Sequence, residues 1–199
     1  VAGGSMVTPG TPPLLEEVSQ WREKVVFPDI DSWDWEGSAK ANQSFFEKNK
    51  DKVIITWIFN GMFERLISFM EFENAAMALI DEDEQDDVKE LFQALTDFYK
   101  DLIDHFAKYY PIDGIYMHDD WGAQRSPFFS IDTCREMLVP YLKQITEHCH
   151  KLGLFYDFHC CGKSEDLAPC MIEANMDAWC GQPLNDKLEI VPEDYFREN

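Results

Sequence analysis

A histidine and two cysteines follow directly after an apolar stretch of the chain. The stretch is 155–158, and the next four residues read His-Cys-Cys-Gly, as expected where a buried parallel strand reaches its carboxyl end. On an extended chain, His159 and Cys161 point to the same side, and Cys160 points to the other. Imidazole and thiolate together favour Zn²⁺. We therefore predict that His159 and Cys161 are metal ligands.

A third ligand is needed, because a catalytic zinc takes three protein ligands and keeps a fourth position for water or substrate. The candidates within the chain are Cys180, His118, Asp119 and Asp120. Cys180 lies at the end of another predicted strand, and we predict it as the third metal ligand beside His159 and Cys161. The alternative is that the histidine is a hydrogen-bonded residue at a strand end and that the cysteines are small buried apolar residues.

Two adjacent carboxylates, Asp119 and Asp120, follow a second strand-like segment. Buried together they would repel each other, so at least one must be neutralised by a proton, a cation or hydrogen bonds. That cost indicates a functional site, and we predict that both residues orient substrate or balance charge. The alternative is that one caps the following loop and the other pairs with Arg125 or Arg65.

Arg65 is the third predicted catalytic residue. It falls in the first turn of a predicted helix, where a cation opposes the helix dipole, so the residue has another use there. Binding of a carboxylate or phosphate is one use, and a salt bridge to Glu64 or Asp120 is the other.

Composition limits the classes of partner. The 199 residues include 38 acidic and 17 basic side chains, for a net charge of −21. Nucleic acid and anionic membrane surfaces are therefore poor partners. The six cysteines form no regular disulfide framework, and no stretch has the length and apolarity of a membrane span. We expect a cytoplasmic protein.

Strands and helices alternate along the chain. Apolar runs predict strands at 53–59, 115–117, 154–159 and 176–180, the first of them central and covered on both faces. Helical periodicity predicts helices at 62–80, 88–110, 130–151 and 164–174, with a further helix from Pro192. Ser130 and Ser164 are the predicted N-caps of the third and fourth of these helices. Pro140 predicts a kink or a boundary within the third.

This alternation predicts an α/β fold with a parallel sheet. No glycine-rich phosphate loop follows a strand, which favours a (β/α)₈ TIM-barrel type over a nucleotide-binding doubly wound sheet. A barrel takes about 250 residues, so the chain would cover roughly half of one. We predict an irregular N-terminal segment at 1–50 packing on a partial barrel at 51–199. Because the chain opens without Met and ends as a helix begins, we expect a piece of a longer protein.

Several motifs resemble the uroporphyrinogen decarboxylase superfamily, and more closely its corrinoid-dependent methyltransferase branch. The motifs are HDDWGAQ (118–124), PYLKQI (140–145), HCCG (159–162), GMFERL (61–66) and GQPLND (181–186). The resemblance implies a (β/α)₈ barrel with zinc at the carboxyl ends of its strands. His159 and Cys161 match the His-x-Cys pair of that site. A further cysteine is expected beyond Asn199, for which Cys180 would be the substitute.

The implied reaction is the exchange of a methyl group between a corrinoid (cobalamin) protein and a small substrate. The substrate would be a thiol, or a methoxylated or methylated compound in a demethylation. The implied cofactors are zinc and a corrinoid carried by a partner protein, and the other partner is a small-molecule methyl donor or acceptor.

Two alternatives stay open. One is a uroporphyrinogen decarboxylase-type carboxy-lyase acting on a porphyrinogen, although the arginine-bearing N-terminal segment of those enzymes has no counterpart here. The other is a catalytically incomplete piece that depends on a partner. The exposed sheet edges of such a piece would be open to another chain, which leaves homo-oligomerisation open.

Overall fold

One four-stranded parallel sheet organises the computed structural model, which describes residues 11–181. The strands β1 (Ile55–Ile58), β2 (Gly114–His118), β3 (Phe155–His159) and β4 (Ala178–Cys180) lie side by side in chain order, and each is parallel to the next. The predicted α/β class, the parallel sheet and the positions of the strands are confirmed. Within the described part of the chain the sheet is open, with β1 and β4 at its two edges.

Eight α-helices accompany the sheet in the described residues. They are α1 (Trp21–Lys24), α2 (Trp35–Lys48), α3 (Met62–Met70), α4 (Phe72–Ala78), α5 (Gln85–Tyr109), α6 (Ile131–Met137), α7 (Val139–Lys151) and α8 (Ala168–Glu173). Every predicted helix within 11–181 is present, although three of them differ in detail. The helix predicted from Pro192 lies outside the described residues. Among residues 11–181, we find no helix with both the length and the apolarity needed to cross a bilayer.

The helix predicted at 62–80 is divided into α3 and α4. Glu71 separates them with φ 66° and ψ 169°, a positive-φ conformation outside the helical region. Carbonyl groups freed near the break find other donors: the backbone N–H of Leu15 bonds to Phe69 O at 2.9 Å, and Asn74 Nδ2 bonds to Met70 O at 3.1 Å. Tertiary contacts therefore stabilise a break that the periodicity does not indicate.

The helix predicted at 130–151 is likewise divided, into α6 and α7, and the helix predicted at 164–174 lacks its predicted cap. Pro140 lies in the first turn of α7, where a missing N–H costs nothing, so it marks a boundary as predicted. Ser130 caps α6 by accepting from the N–H of Thr133 at 3.1 Å. The predicted cap at Ser164 is wrong, because this side chain makes no capping hydrogen bond and its hydroxyl instead lies 3.2 Å from Cys160 Sγ.

Helices cover one face of the sheet and leave the other open in the described chain. Ile58, Met117 and Phe158 are register neighbours on the covered face, and all three are buried. On the opposite face, Trp57 is 53% exposed and stacks on Tyr116, with ring centroids 4.7 Å apart. The prediction of a central first strand covered on both faces is therefore wrong for residues 11–181, because β1 is an edge strand with one open face.

The open face carries a row of polar side chains at the carboxyl edge of the sheet. His118 is the register partner of His159, and His159 is the register partner of Cys180. Side chains two positions apart on a strand share a face, so Tyr116 and Asp157 form the next row on the same side. The parallel register thus brings together residues that are about 40 and 20 positions apart in sequence.

Candidate metal centre

The loops that follow β2 and β3 are joined by one side-chain hydrogen bond, one backbone hydrogen bond and a close glycine contact. The N–H of Cys161 donates to Asp120 Oδ1 at 2.6 Å, and the N–H of Lys163 donates to Ala123 O at 2.7 Å. Gly162 has φ 83° and lies so close to Gly122 that a Cβ atom would collide with the carbonyl group of Gly122. These contacts place Asp120 and Cys161 beside the histidine row.

His118, Asp120 and His159 form a group that could hold a metal ion. Each offers one ligand atom, and these atoms all lie within 4.8 Å of one another. His118 Nε2 is 3.9 Å from Asp120 Oδ1, and the two imidazole rings stack with centroids 4.5 Å apart and an interplanar angle of 15°. Ligand atoms of a tetrahedral zinc at 2.0–2.1 Å would lie about 3.4 Å apart, so the group is slightly wider than a formed zinc site.

The Nδ1 atom of His118 faces a buried carboxylate. Glu64 Oε2 lies 2.6 Å from it, and the Glu64 side chain is 7% exposed. This hydrogen bond raises the pKa of His118 above its ordinary value, while burial acts in the opposite direction. The contact leaves Nε2 as the nitrogen that faces Asp120.

His159 is held through both ring nitrogens. Its Nδ1 lies 2.5 Å from the Tyr116 hydroxyl, and its Nε2 lies 3.1 Å from Cys161 Sγ. Burial lowers the pKa of His159, and the neighbouring charge of His118 lowers it further. The two histidines therefore differ in basicity, since the pKa of His118 is raised and that of His159 is lowered.

Two of the three predicted metal ligands, Cys161 and Cys180, flank the imidazole ring of the third, His159, on opposite sides. Cys180 Sγ is 3.7 Å from His159 Nδ1 and 3.4 Å from the Tyr116 hydroxyl, whereas Cys161 is next to Nε2. A single imidazole nitrogen binds one ion, so the described geometry brings Cys161 toward the group formed with His118 and Asp120. Cys180 lies on the other side of the ring.

Cys160 points away from this group, as predicted. Its side chain is fully buried, where Sγ accepts from the N–H of Trp121 at 3.3 Å and lies 3.2 Å from Ser164 Oγ. Burial raises the pKa of the thiol to about 12. Cys160 is therefore a small packing residue on the helix-covered side of the sheet edge.

Asp119, which lies between His118 and Asp120 in the sequence, is fully buried. Its carboxylate accepts from the N–H of Glu64 at 2.7 Å, from the N–H of Phe63 at 3.1 Å and from Trp121 Nε1 at 2.9 Å. It therefore caps the first turn of α3, which has no capping side chain of its own. Burial, followed by the charge of Glu64, raises the pKa of Asp119 to about 7.

Arg65 is separate from the metal group. Its Nη2 lies 3.4 Å from the carbonyl oxygen of Phe59, and it forms no salt bridge within the described residues, either to Glu64 or to Asp120. The guanidinium also lies close to the hydroxyl of Tyr99 and lowers the pKa of that group against the larger effect of burial. The role of Arg65 in binding an anion stays a prediction.

Sequence reasoning did not identify Glu64 and Tyr116 as parts of the site. The signal for Glu64 is an acidic residue at a buried position of an amphipathic helix, where a charge needs a partner. Alternation puts Tyr116 on the same face as His118, two residues further along β2. Its contact with His159 depends on the register of β2 with β3. His118 was one of several third-ligand candidates, and the structure brings it together with His159.

The donors at this edge are two imidazoles, one carboxylate and, beside His159, one thiol. Such a mixed nitrogen, oxygen and sulfur set suits a transition metal, whereas Mg²⁺ and Ca²⁺ take oxygen ligands. A scan against protein-family models, a search of curated proteins and a search of solved structures each found no match. The geometry of the site is therefore the basis of its interpretation.

Proposed function

We propose that this chain is part of a zinc-dependent methyltransferase that exchanges a methyl group between a corrinoid protein and a small thiol, methoxylated or methylated substrate. The observation that carries the proposal is the approach of His118, Asp120 and His159 to within 4.8 Å at the carboxyl edge of a parallel sheet. The resemblance of the HCCG motif and its companions to corrinoid-dependent methyltransferases supplies the reaction class.

The ligand set that we propose combines this group with the neighbouring thiol. His118, Asp120 and His159 would hold the ion, and Cys161, 3.1 Å from His159 Nε2, would be a fourth donor that substrate replaces. A zinc ion at such a site lowers the pKa of a bound thiol or polarises a bound ether oxygen. Asp120 has a second part in this arrangement, because its hydrogen bond to the Cys161 N–H holds the two loops in register.

The methyl group would move as a cation equivalent. In the thiol direction, the substrate thiol would lose its proton, its sulfur would form a bond to the methyl carbon, and the electron pair of the broken carbon–cobalt bond would stay with cobalt. The row of His118, His159 and Cys180 lies on the uncovered sheet face, so this edge is the side from which a corrinoid protein would deliver its methyl group.

The first test is the zinc content of the purified 199-residue chain and of three variants, by elemental analysis. We expect about one zinc per chain, loss of zinc in His159→Ala and a weakened site in Cys161→Ala, because both side chains meet at one side of the metal group. His148→Ala is the matched control. His148 of α7 pairs with Asp104 of α5, so this variant should keep its zinc.

The second test is methyl transfer from free methylcobalamin to a small thiol, followed by the change in corrin absorbance. We expect transfer by the zinc-loaded chain and none by His159→Ala. A chain that binds zinc and leaves methylcobalamin unchanged with thiols, and that takes no methyl from a methoxylated compound, would overturn methyl transfer. A chain that binds no zinc would overturn the whole proposal and favour the decarboxylase or the incomplete piece.

A further inference from the structure

Glu64 is a buried acidic residue that the proposed reaction does not use. It lies in the first turn of α3 among residues of the main apolar core, such as Phe63 and Leu66, and its side chain is 7% exposed. A carboxylate is costly in such a place unless it is paired and hydrogen-bonded. Its side-chain partner is His118, with Glu64 Oε2 2.6 Å from Nδ1.

The main chain of Glu64 is fixed independently of its side chain. The N–H of Glu64 donates to Asp119 Oδ1 at 2.7 Å, and Asp119 is the residue that follows His118 at the end of β2. The start of α3 is therefore attached to the end of β2 through Asp119. With its main chain held there, Glu64 contacts the imidazole of His118 through its carboxylate.

We propose that Glu64 is a positioning residue for the metal site: its carboxylate accepts the Nδ1–H of His118 and so keeps the Nε2 lone pair directed toward Asp120 and His159. The inference rests on the metal site of the proposed function. A metal-bound histidine commonly donates its other N–H to a carboxylate, which fixes the tautomer and makes the ligand more basic. Here the carboxylate comes from a helix, and the histidine comes from a strand.

The second histidine provides an internal comparison. His159 Nδ1 faces the neutral hydroxyl of Tyr116 at 2.5 Å, whereas His118 Nδ1 faces an anion. A charged partner strengthens the hydrogen bond and the basicity of the ligand more than a neutral one does. Glu64 therefore affects the affinity of the site chiefly through His118.

The experiment is a titration of the 199-residue chain with Co²⁺ and Zn²⁺, comparing the native chain with Glu64→Gln and Glu64→Asp. Gln keeps the size of the side chain and loses its charge, while Asp keeps the charge and is too short to reach His118. We expect both variants to bind about 10- to 100-fold more weakly, with shifted visible absorption bands of bound Co²⁺. Glu73→Gln, at an exposed position of α4, is the control and should bind as the native chain does.

The outcomes separate this inference from the proposed function. If the native chain binds no metal, both are overturned. If the native chain binds and Glu64→Gln binds equally tightly with an unchanged Co²⁺ spectrum, only the role of Glu64 is overturned. If Glu64→Asp alone keeps native affinity, charge without positioning explains the effect, and the positioning role is overturned. Far-ultraviolet circular dichroism of each variant checks that α3 is intact.

Discussion

Asp119 and Glu64 are neighbouring buried acids that use their charges differently. Asp119 accepts three N–H donors, yet its pKa rises to about 7, because burial and the charge of Glu64 outweigh those hydrogen bonds. The Glu64 carboxylate instead lies 2.6 Å from His118 Nδ1. At the residue scale, then, Asp119 caps α3 through main-chain donors, whereas Glu64 contacts a candidate metal ligand.

The raised pKa of Asp119 has a defined effect on stability. Its pKa is about 7 in the folded chain and 3.8 for an ordinary exposed carboxyl, so the folded state holds this proton more tightly. The stabilising contribution is therefore complete below about pH 4 and is lost as the pH rises to about 7. Between pH 5 and pH 7 we expect Asp119 to remove about 2 kcal/mol from the free energy of unfolding.

Urea unfolding of the metal-free chain at several pH values measures this effect. Asp119→Asn is expected to be less stable overall, because its amide presents a donor to other donors, but its stability should fall less steeply between pH 5 and pH 7. Asp132→Asn, at an exposed position in the first turn of α6, should keep the native slope. Equal slopes for the native chain and Asp119→Asn would contradict the raised pKa.

The residue types at the site were predictable from the sequence, but their grouping was only partly so. His159 and Cys161 share a side of their strand end through simple alternation, and the structure has them 3.1 Å apart. That Cys180 would contact the opposite nitrogen of the same ring depends on the register of β3 with β4 and on ring orientation. Neither of these can be read from spacing within one strand.

At the scale of elements, the two glycines Gly122 and Gly162 determine how the loops after β2 and β3 meet. Gly162 has both a positive φ and a neighbouring carbonyl group where a Cβ would be. Gly153 also has a positive φ, 76°, but has open space around it. A comparison of Gly153 with Gly162 therefore separates the cost of the backbone conformation from the cost of a collision.

We expect Gly153→Ala to lower the free energy of unfolding by about 1–2 kcal/mol, which is the cost of a left-handed conformation. Gly162→Ala adds a collision with Gly122 and should cost about 3 kcal/mol or more. It should also weaken metal binding, because Cys161 precedes Gly162 directly. Urea unfolding and the Co²⁺ titration measure both effects, and equal losses for the two variants would show that the loops do not depend on this contact.

The sequence predicted most elements because their signals are local. Each strand is a short apolar run, and Ser130 and Pro140 mark the start of α6 and the α6–α7 boundary. The break between α3 and α4 at Glu71 was not predictable, since it depends on a hydrogen bond from Leu15, more than fifty positions away. The role of Ser164 was misread for a similar reason, because its hydroxyl contacts Cys160 in place of a helix N–H.

At the scale of the whole molecule, the parallel sheet was predictable and its closure was not. Strict alternation of strands and helices indicates parallel pairing, and the pairing of β1 to β4 in chain order confirms it. Closure of a barrel requires a last strand to pair with the first, which no local pattern specifies. In residues 11–181 the outer strands β1 and β4 are edges, and the barrel stays a prediction.

Net charge gives a prediction for the molecule as a whole. With 38 acidic and 17 basic residues, repulsion should destabilise the folded chain at low ionic strength. Raising the salt concentration from about 0.01 M to 0.15 M shortens the Debye length from about 30 Å to 8 Å. We therefore expect the melting temperature of the metal-free chain to rise by about 2–4 °C for each kcal/mol of relieved repulsion.

A charge-reversed variant tests whether repulsion is the cause. Glu47→Lys with Glu147→Lys changes two exposed positions on α2 and α7, away from the metal group. The salt-dependent rise in melting temperature, measured by circular dichroism, should become smaller in this variant. An unchanged rise would mean that salt acts through something other than net charge.

The contact between the loops after β2 and β3 also bears on how such a site could diversify. Main-chain atoms join the two loops: Lys163 N–H bonds to Ala123 O, and Gly162 lies against Gly122. Because main-chain contacts do not depend on side-chain identity, positions such as Ala123 and Lys163 are free to change while His118, Asp120 and Cys161 keep their places. Mutation can therefore alter what this edge recognises without dismantling the group that would carry out the chemistry.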